Sequence, residues 1–347
     1  MRKLLSFESD YNNGAHPDVL RRLFETNDSQ SASYGYDEWS ESARKKIREA
    51  CQSQDADIFF LTGGTQVNAT VIDALLPSYG AVIAVETAHI NVHESGAVEA
   101  NGHKVISLPG HNGCMSADDL DNYLKRFFAD PTWEHMAVPG MVYITFPTEL
   151  GTIYKAADMQ AIYDVCQRYQ MPLFIDGARL GYGLMSDACD FDLPWLAHHC
   201  DVFYIGGTKV GALCGEAVVF PHGAPRGFFT MIKRHGALLA KSRVAGVQFD
   251  ALFTDELYFR ISRQAISMAS LLRQKFIDAG IPIKDSPTNQ QFVTLTNTQV
   301  QQLMSEILFE TWEPIDEEHT LCRFVTSWKT TPADIDTLGQ ALKTIKS

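Results

Sequence analysis

Two residues at the ends of apolar runs carry the clearest chemical signal in this chain. Asp176 closes the run in PLFIDGARL, and Lys209 closes the run in DVFYIGGTKVGALCG. In open α/β sheets, ligands bind where strands end at their carboxyl edge. A carboxylate there can keep a pyridine nitrogen protonated. A desolvated lysine there, its pKa lowered, can form a Schiff base with an aldehyde and later carry protons. Together they describe a grip on pyridoxal 5'-phosphate. Taken singly, Asp176 reads equally well as a helix cap and Lys209 as a surface lysine.

Other segments supply what such a grip needs. The strand-like run IFFL leads through Thr62-Gly63-Gly64-Thr65-Gln66-Val67-Asn68 into a helical pattern. Glycines admit an anion close to the backbone, a helix start offers free N–H groups, and Thr65 adds a hydroxyl. The stretch lacks the lysine of a nucleotide P-loop and the spacing of a dinucleotide turn. His89, in Glu86-Thr87-Ala88-His89, follows the next strand-like run, where an imidazole can lie on an aromatic ring or donate to a substrate oxygen. Arg179 and Arg323 have the planar fork that suits a carboxylate, with surface ion pairs as the ordinary alternative. Tyr34-Gly35-Tyr36-Asp37 and Ser9-Asp10 are weaker signals that also read as turns and caps. His198 and His199 precede Cys200 and Asp201, but adjacent residues point in different directions. With no second group at zinc spacing, no metal site is expected.

These residues need a scaffold. From about residue 18 to 240, short β-branched runs alternate with helical stretches, the pattern of a mostly parallel sheet. Seven strands are expected: 58–61, 81–85, 104–107, 141–145, 172–175, 202–205 and 217–220. Helices are expected at 37–51, 65–76, 117–128 and 156–169. Past Gly246 a long helix near 257–279 precedes short strands at 291–295 and 322–327, a smaller α+β unit. The expected division is an N-terminal segment 1–17, a large α/β domain 18–245 and a small domain 246–347, with the binding cleft between the two domains.

Composition fits an ordinary soluble enzyme. The 347 residues are 45% hydrophobic and 20% charged. A formal charge of -13 argues against nucleic acid or an anionic membrane as a partner. The start, MRKLLSFESDYNN, is too polar for a secretory signal, and no apolar run is long enough to span a membrane. Seven scattered cysteines without a CxxC pair suit reduced thiols in the cytoplasm.

Taken in order, SD at 9–10, YG at 34–35, TGGTQVN at 62–68, AH at 88–89, FPTELGTIY at 146–154, DGARL at 176–180, TK at 208–209 and RFVT at 323–326 resemble the L-threonine aldolases. These are fold type I pyridoxal phosphate enzymes within the aldolase and β-eliminating lyase group, and the resemblance spans almost the whole chain. It implies an aspartate aminotransferase-like α/β fold. Lys209 would hold the cofactor covalently, Asp176 would pair with its ring nitrogen, His89 would stack on the ring, and Gly64 and Thr65 would hold its phosphate. Ser9, Arg179 and Arg323 would bind the substrate carboxylate, with Tyr34 also at the substrate.

One position departs from the family. Many bacterial members carry a histidine where this chain has Glu149, so the group that takes the β-hydroxyl proton is left among His89, Glu149 and a bound water. The expected activity is cleavage of L-threonine or L-allo-threonine to glycine and an aldehyde by a homodimer or homotetramer with sites at the subunit interface. The alternatives are β-elimination with release of ammonia and a keto acid, and a non-catalytic pyridoxal phosphate- or nucleotide-binding regulator.

Overall fold

A computed structural model describes residues 4–345. Its centre is a sheet of seven strands: β1 (Asp57–Leu61), β2 (Gly80–Val85), β3 (Lys104–Leu108), β4 (Val138–Thr145), β5 (Leu173–Asp176), β6 (Val202–Gly206) and β7 (Glu216–Phe220). Their spatial order is β1-β7-β6-β5-β4-β2-β3. Strands β2 to β6 pair in parallel, while β7 runs antiparallel to both β1 and β6. The mostly parallel α/β sheet expected from the sequence is therefore present, with one reversed strand. Strands β2, β5, β6 and β7 are buried along their whole length, as continuous apolar runs between two layers of helices must be. The edge strand β3 leaves Lys104 and Ser107 exposed and buries Ile106 and Leu108.

The helices that cover the sheet are amphipathic. Ala117–Ala129 buries Leu120, Leu124 and Phe127 at three- and four-residue spacing, and its start is capped by Ser116. Gly64–Leu75 buries a near-continuous run from Val67 to Ile72, because it packs close to the middle of the molecule. A second apolar cluster gathers residues such as Leu272, Phe276, Val293 and Phe324, centred on an antiparallel sheet of β8 (Gln290–Thr296), β9 (Glu310–Pro314) and β10 (His319–Val325). Leu5–Ser6 pairs in parallel with Ile307–Leu308 of that same region, so the N-terminal segment is tied to the smaller unit. The sequence position 245/246 lies inside the helix Arg243–Leu252. Residues 1–3 of the 1–17 segment and residues 346–347 lie outside the described residues. No helix among the described residues is long and apolar enough to cross a membrane.

All the parallel strands, with β1, end at one edge of the sheet, and β7 begins there. Asp176 is the last residue of β5, and Lys209 follows β6 by three positions. The turn after Asp176 is pressed onto β6: the Gly206 N–H donates to Gly177 O at 3.0 Å. A Cβ on Gly177 would lie 1.9 Å from the Tyr204 carbonyl oxygen, a backbone atom that cannot swing aside. Gly177→Ala is expected to destabilise the protein by about 1–3 kcal/mol, as overpacking of a fixed interior does. Urea unfolding of the two proteins checks this; an unchanged midpoint would show that the strand ends can part without loss.

Candidate active site

At this edge the ends of five strands enclose a cavity of about 280 Å³. Lys209, Asp176, Arg179, His89 and Glu149 line it, together with Gly64 and Thr65 from the start of the Gly64–Leu75 helix. Of the other residues singled out in the sequence, Ser9, Tyr34 and Arg323 are not among its lining residues.

Asp176 is the buried anchor. Its Oδ1 accepts from the Ala178 N–H at 3.0 Å and from the Tyr204 hydroxyl, and its Oδ2 accepts from Asn68 Nδ2 at 2.9 Å and from the Tyr143 hydroxyl. Burial alone would raise the pKa of this carboxyl, but the charge of His89 and the two tyrosine hydroxyls hold it below the ordinary aspartate value. The group is thus a buried carboxylate surrounded by donors. Four donors fill both oxygens, so a pyridine N–H bound here would take the place of one of them. The tyrosine hydroxyls can do this by rotating.

The donors extend into a chain. Asn68 Nδ2 also donates to Glu94 Oε1 at 2.7 Å, and that oxygen accepts from His89 Nδ1 at 2.8 Å. Burial works against the His89 charge, but the hydrogen bond to Glu94 and the nearby Glu149 and Asp176 raise its pKa overall. His89 Nδ1 is thus held as a donor to Glu94, with the residue in the cavity wall.

Lys209 lies among charges of both signs. Burial lowers its pKa and Arg179 lowers it further, against the pull of Asp10, Glu149 and Asp176. Its ammonium sits 5.8 Å from the Tyr11 ring, and its backbone carbonyl accepts from the Tyr182 hydroxyl at 2.6 Å. A primary amine in this setting releases its proton readily, as an amine that attacks a carbonyl must.

The cradle at Gly63-Gly64-Thr65 offers the free N–H groups of a 12-residue helix that starts at Gly64 and whose N-cap, Gly63, makes no side-chain cap. A Cβ on Gly64 would come 2.9 Å from the Tyr204 hydroxyl, the group that reaches Asp176. This glycine therefore leaves room both for an anion and for the tyrosine.

Arg179 presents its fork to Asp10 rather than to Ser9. Nε donates to Asp10 Oδ2 at 2.7 Å and Nη2 to Oδ1 at 3.1 Å, leaving Nη1 for a ligand. Ser9 Oγ instead accepts from the Tyr11 N–H at 3.1 Å. Tyr34 sits in a separate groove with Tyr36, Arg44 and Phe229, where Lys233 stands 4.8 Å above its ring. Arg323 is buried in the small sheet beside Gln290 and Glu310. His198 and His199 turn back to donate to carbonyls of their own helix, Pro194 O and Trp195 O. Among the described residues no group of three or more His, Cys, Asp or Glu could hold a metal ion. The seven cysteines are all unpaired.

Several residues at this edge were not singled out from the sequence. Tyr143 and Tyr204 read as ordinary strand residues, although period-two alternation puts Tyr143 on the same face as Thr145, next to the Asp176 strand end. Asp10 was named only as part of the Ser9-Asp10 pair, of which Ser9 alone was given a substrate role. Glu216 gave no signal, because only the reversal of β7 brings its first residue to the edge where the other strands end. Its carboxylate accepts from the Gly207 N–H at 2.8 Å, in the loop that carries Lys209. Burial pushes its pKa up to about 7, against the pull of Thr208, the Gly207 N–H and Lys209.

The residues fit a phosphorylated aromatic aldehyde. An amine stands across from a buried carboxylate, an imidazole flanks the space between them, and an uncapped helix start faces the same cavity. Fold and site together define an α/β enzyme of the fold type I class. The profile of the beta-eliminating lyase family matches residues 7–315, and the chain belongs to that family. It is 30% identical to a low specificity L-threonine aldolase of Pseudomonas aeruginosa, over 98% of this chain and 96% of that protein. It superposes on a threonine aldolase of Leishmania major with a TM-score of 0.94 at 35% identity, covering 98% of each chain. A serine palmitoyltransferase of Sphingomonas wittichii, at 16% identity, shares the fold with a TM-score of 0.73, over 99% of this chain and 87% of that one.

The raised Glu216 pKa has a consequence for stability. A carboxyl whose folded-state pKa lies above its unfolded one favours folding below the unfolded value, and that contribution is lost as pH rises through the folded value. Here the window runs from 4.5 to about 7. Glu216→Gln, which stays neutral, is expected to gain stability relative to the natural protein as pH rises from about 5 to 8. Melting temperatures of the two apoproteins across that range check it; a difference independent of pH would contradict a raised Glu216 pKa.

Proposed function

We propose that this enzyme is a pyridoxal phosphate-dependent aldehyde-lyase that cleaves L-threonine, L-allo-threonine and related L-β-hydroxy-α-amino acids to glycine and an aldehyde. The observation that carries this reading is the meeting of Lys209, Asp176, Arg179, His89 and Glu149 in one cavity with an anion cradle. Likeness to aldolases over nearly the full chain supports it. When bound, the cofactor supplies a protonated pyridine ring that can accept the electrons of the breaking Cα–Cβ bond.

The side chains divide the remaining work. Lys209 would hold the cofactor through its amine and, when that amine is free, would carry protons at the substrate carbon. Asp176 keeps the ring nitrogen protonated, and Tyr143 and Tyr204 keep Asp176 ionised. Gly64 and Thr65 hold the phosphate. Arg179, with Arg323 from the small sheet, binds the substrate carboxylate and so fixes which bond at Cα stands perpendicular to the ring. His89 would lie on the ring, and its Nδ1 donates to Glu94, a contact that with Glu149 and Asp176 raises its pKa and favours its donor form over a proton acceptor. Glu149 is the carboxylate that remains, and it takes the β-hydroxyl proton as the Cα–Cβ bond breaks and the Cβ–O bond becomes a carbonyl. The carbanion left at Cα is then protonated to give glycine.

We place the enzyme in the cytoplasm as a homo-oligomer, dimer or tetramer. Seven unpaired thiols support the compartment. The exposed aromatic face of Tyr36 and Phe229 around the Tyr34 groove supports the oligomer.

The reading predicts equal amounts of glycine and acetaldehyde from L-threonine. Ammonia without glycine would transfer the assignment to β-elimination, and cofactor binding without turnover of either kind would point to a regulator. Lys209→Ala is expected to lose both turnover and the visible absorbance of bound cofactor; a variant keeping both would overturn the role of Lys209. Glu149→Gln is expected to lower kcat for threonine by about 100-fold or more while keeping the absorbance. An unchanged kcat would move the proton to His89 or water.

A further inference from the structure

Arg323 is held apart from the cavity it is meant to serve. It lies on β10, opposite Glu310 of β9 in the antiparallel ladder. Nη2 donates to the Glu310 carboxylate, Nη1 donates to Gln290 Oε1 at 2.8 Å, and Cζ stands 4.6 Å above the Trp312 ring. The Arg323 side chain is 8% exposed and that of Glu310 is 42% exposed. Two donors in this cluster, Arg323 Nε and Gln290 Nε2, are buried without a partner. A native fold rarely leaves such atoms unpaired unless a ligand or a rearrangement serves them.

These facts describe a cation waiting for an anion. A guanidinium this deep needs a counter-charge, and removing the counter-charge without replacement is unfavourable. Glu310 fills that place in the free protein, and its own exposure lets it return to water at little loss. Its neighbour on the strand, Trp312, ties the latch to the site's mouth: its ring lies 6.2 Å from His93, which lies 5.5 Å from His89.

We infer that Glu310 is a positioning residue acting through Arg323: its carboxylate stands in for the substrate's, and the substrate amino acid binds by taking its place. This rests on the aldolase reading, in which Arg323 receives the substrate carboxylate. The exchange swaps one carboxylate for another at the guanidinium, so part of the attraction Arg323 offers is spent on releasing Glu310. The device sets affinity, weakening the binding of every amino-acid carboxylate by the same factor, and leaves the bond-breaking step alone.

Glycine is the suitable probe, because it carries the carboxylate and amine but has no Cα–Cβ bond to cleave. The dissociation constant of glycine from the holoenzyme, measured by calorimetry, is expected to fall about two- to fivefold in Glu310→Gln, the range that a partly exposed ion pair supports. KM for L-threonine is expected to fall by the same factor, with the change in KM rather than kcat. In an Arg323→Gln background the Glu310→Gln substitution is expected to have no effect on glycine binding. Unchanged or weaker glycine binding in Glu310→Gln would overturn the inference and leave Glu310 as a brace for the strand pair. Tighter binding that persists without Arg323 would overturn it as well. Because glycine binding is read without turnover, failure of the wild type to produce glycine from threonine would refute the aldolase reading separately.

Discussion

A carboxylate placed in the interior of a sheet must be surrounded by donors or it will take up a proton, and much of this site follows from meeting that demand at Asp176. Tyr143 and Tyr204 come from the two strands flanking β5, and Asn68 comes from the helix above the cradle. Each of these donors fixes something else. A side chain at position 64 would crowd the Tyr204 hydroxyl, and the glycine there leaves the helix start open. Asn68 shares its amide with Glu94, and Glu94 orients His89. The need to keep one carboxylate ionised therefore ties together Asp176, the helix start at Gly64 and the imidazole of His89.

Charge also joins the two parts of the chain. Asp10, from the N-terminal segment, accepts the fork of Arg179 and the amide of Asn289, which stands just before the first strand of the small sheet. Burial opposes its charge, and Arg179 and Lys209 more than compensate. The adjacent Gln290 holds Arg323. A short polar path thus runs from Lys209 and Arg179 on the large sheet to Arg323 and Glu310 on the small one. Each guanidinium on this path already has a carboxylate partner in the free protein. The two differ in what stays open: Arg179 keeps Nη1 free beside Asp10, whereas Arg323 is engaged by both Glu310 and Gln290.

The sequence made the scaffold legible because parallel strands buried on both faces read as uninterrupted apolar runs. All seven runs form one sheet, and Asp176 and Lys209 stand at strand ends, where open sheets expose their chemistry. What escaped the sequence depended on pairing direction or on polar atoms inside apolar runs. The run 217–220 carried no sign that it is reversed, so Glu216 at its start was invisible as a site residue. Tyr143 and Tyr204 counted as core by residue type, although only their hydroxyls matter to the site. Ser9 and Asp10 were adjacent candidates, and only the fold could show that the carboxylate, not the hydroxyl, meets Arg179. Tyr34 and Arg323 were assigned to the substrate by resemblance. In the single chain, one lies in a separate groove and the other beneath an ion pair, because spacing along a chain says nothing about which subunit or which state completes a site.

The most direct test of the account is the state of the cofactor's ring nitrogen opposite Asp176. Holoenzyme reconstituted with pyridoxal phosphate labelled with nitrogen-15 in the ring would report that state through the nitrogen chemical shift at neutral pH. The account predicts a protonated pyridine in the natural protein and a neutral one in Asp176→Asn, which keeps the shape but removes the charge. A neutral ring nitrogen in the natural protein would contradict it, because the buried carboxylate and its donors would then have no part in stabilising the electrons of the broken bond.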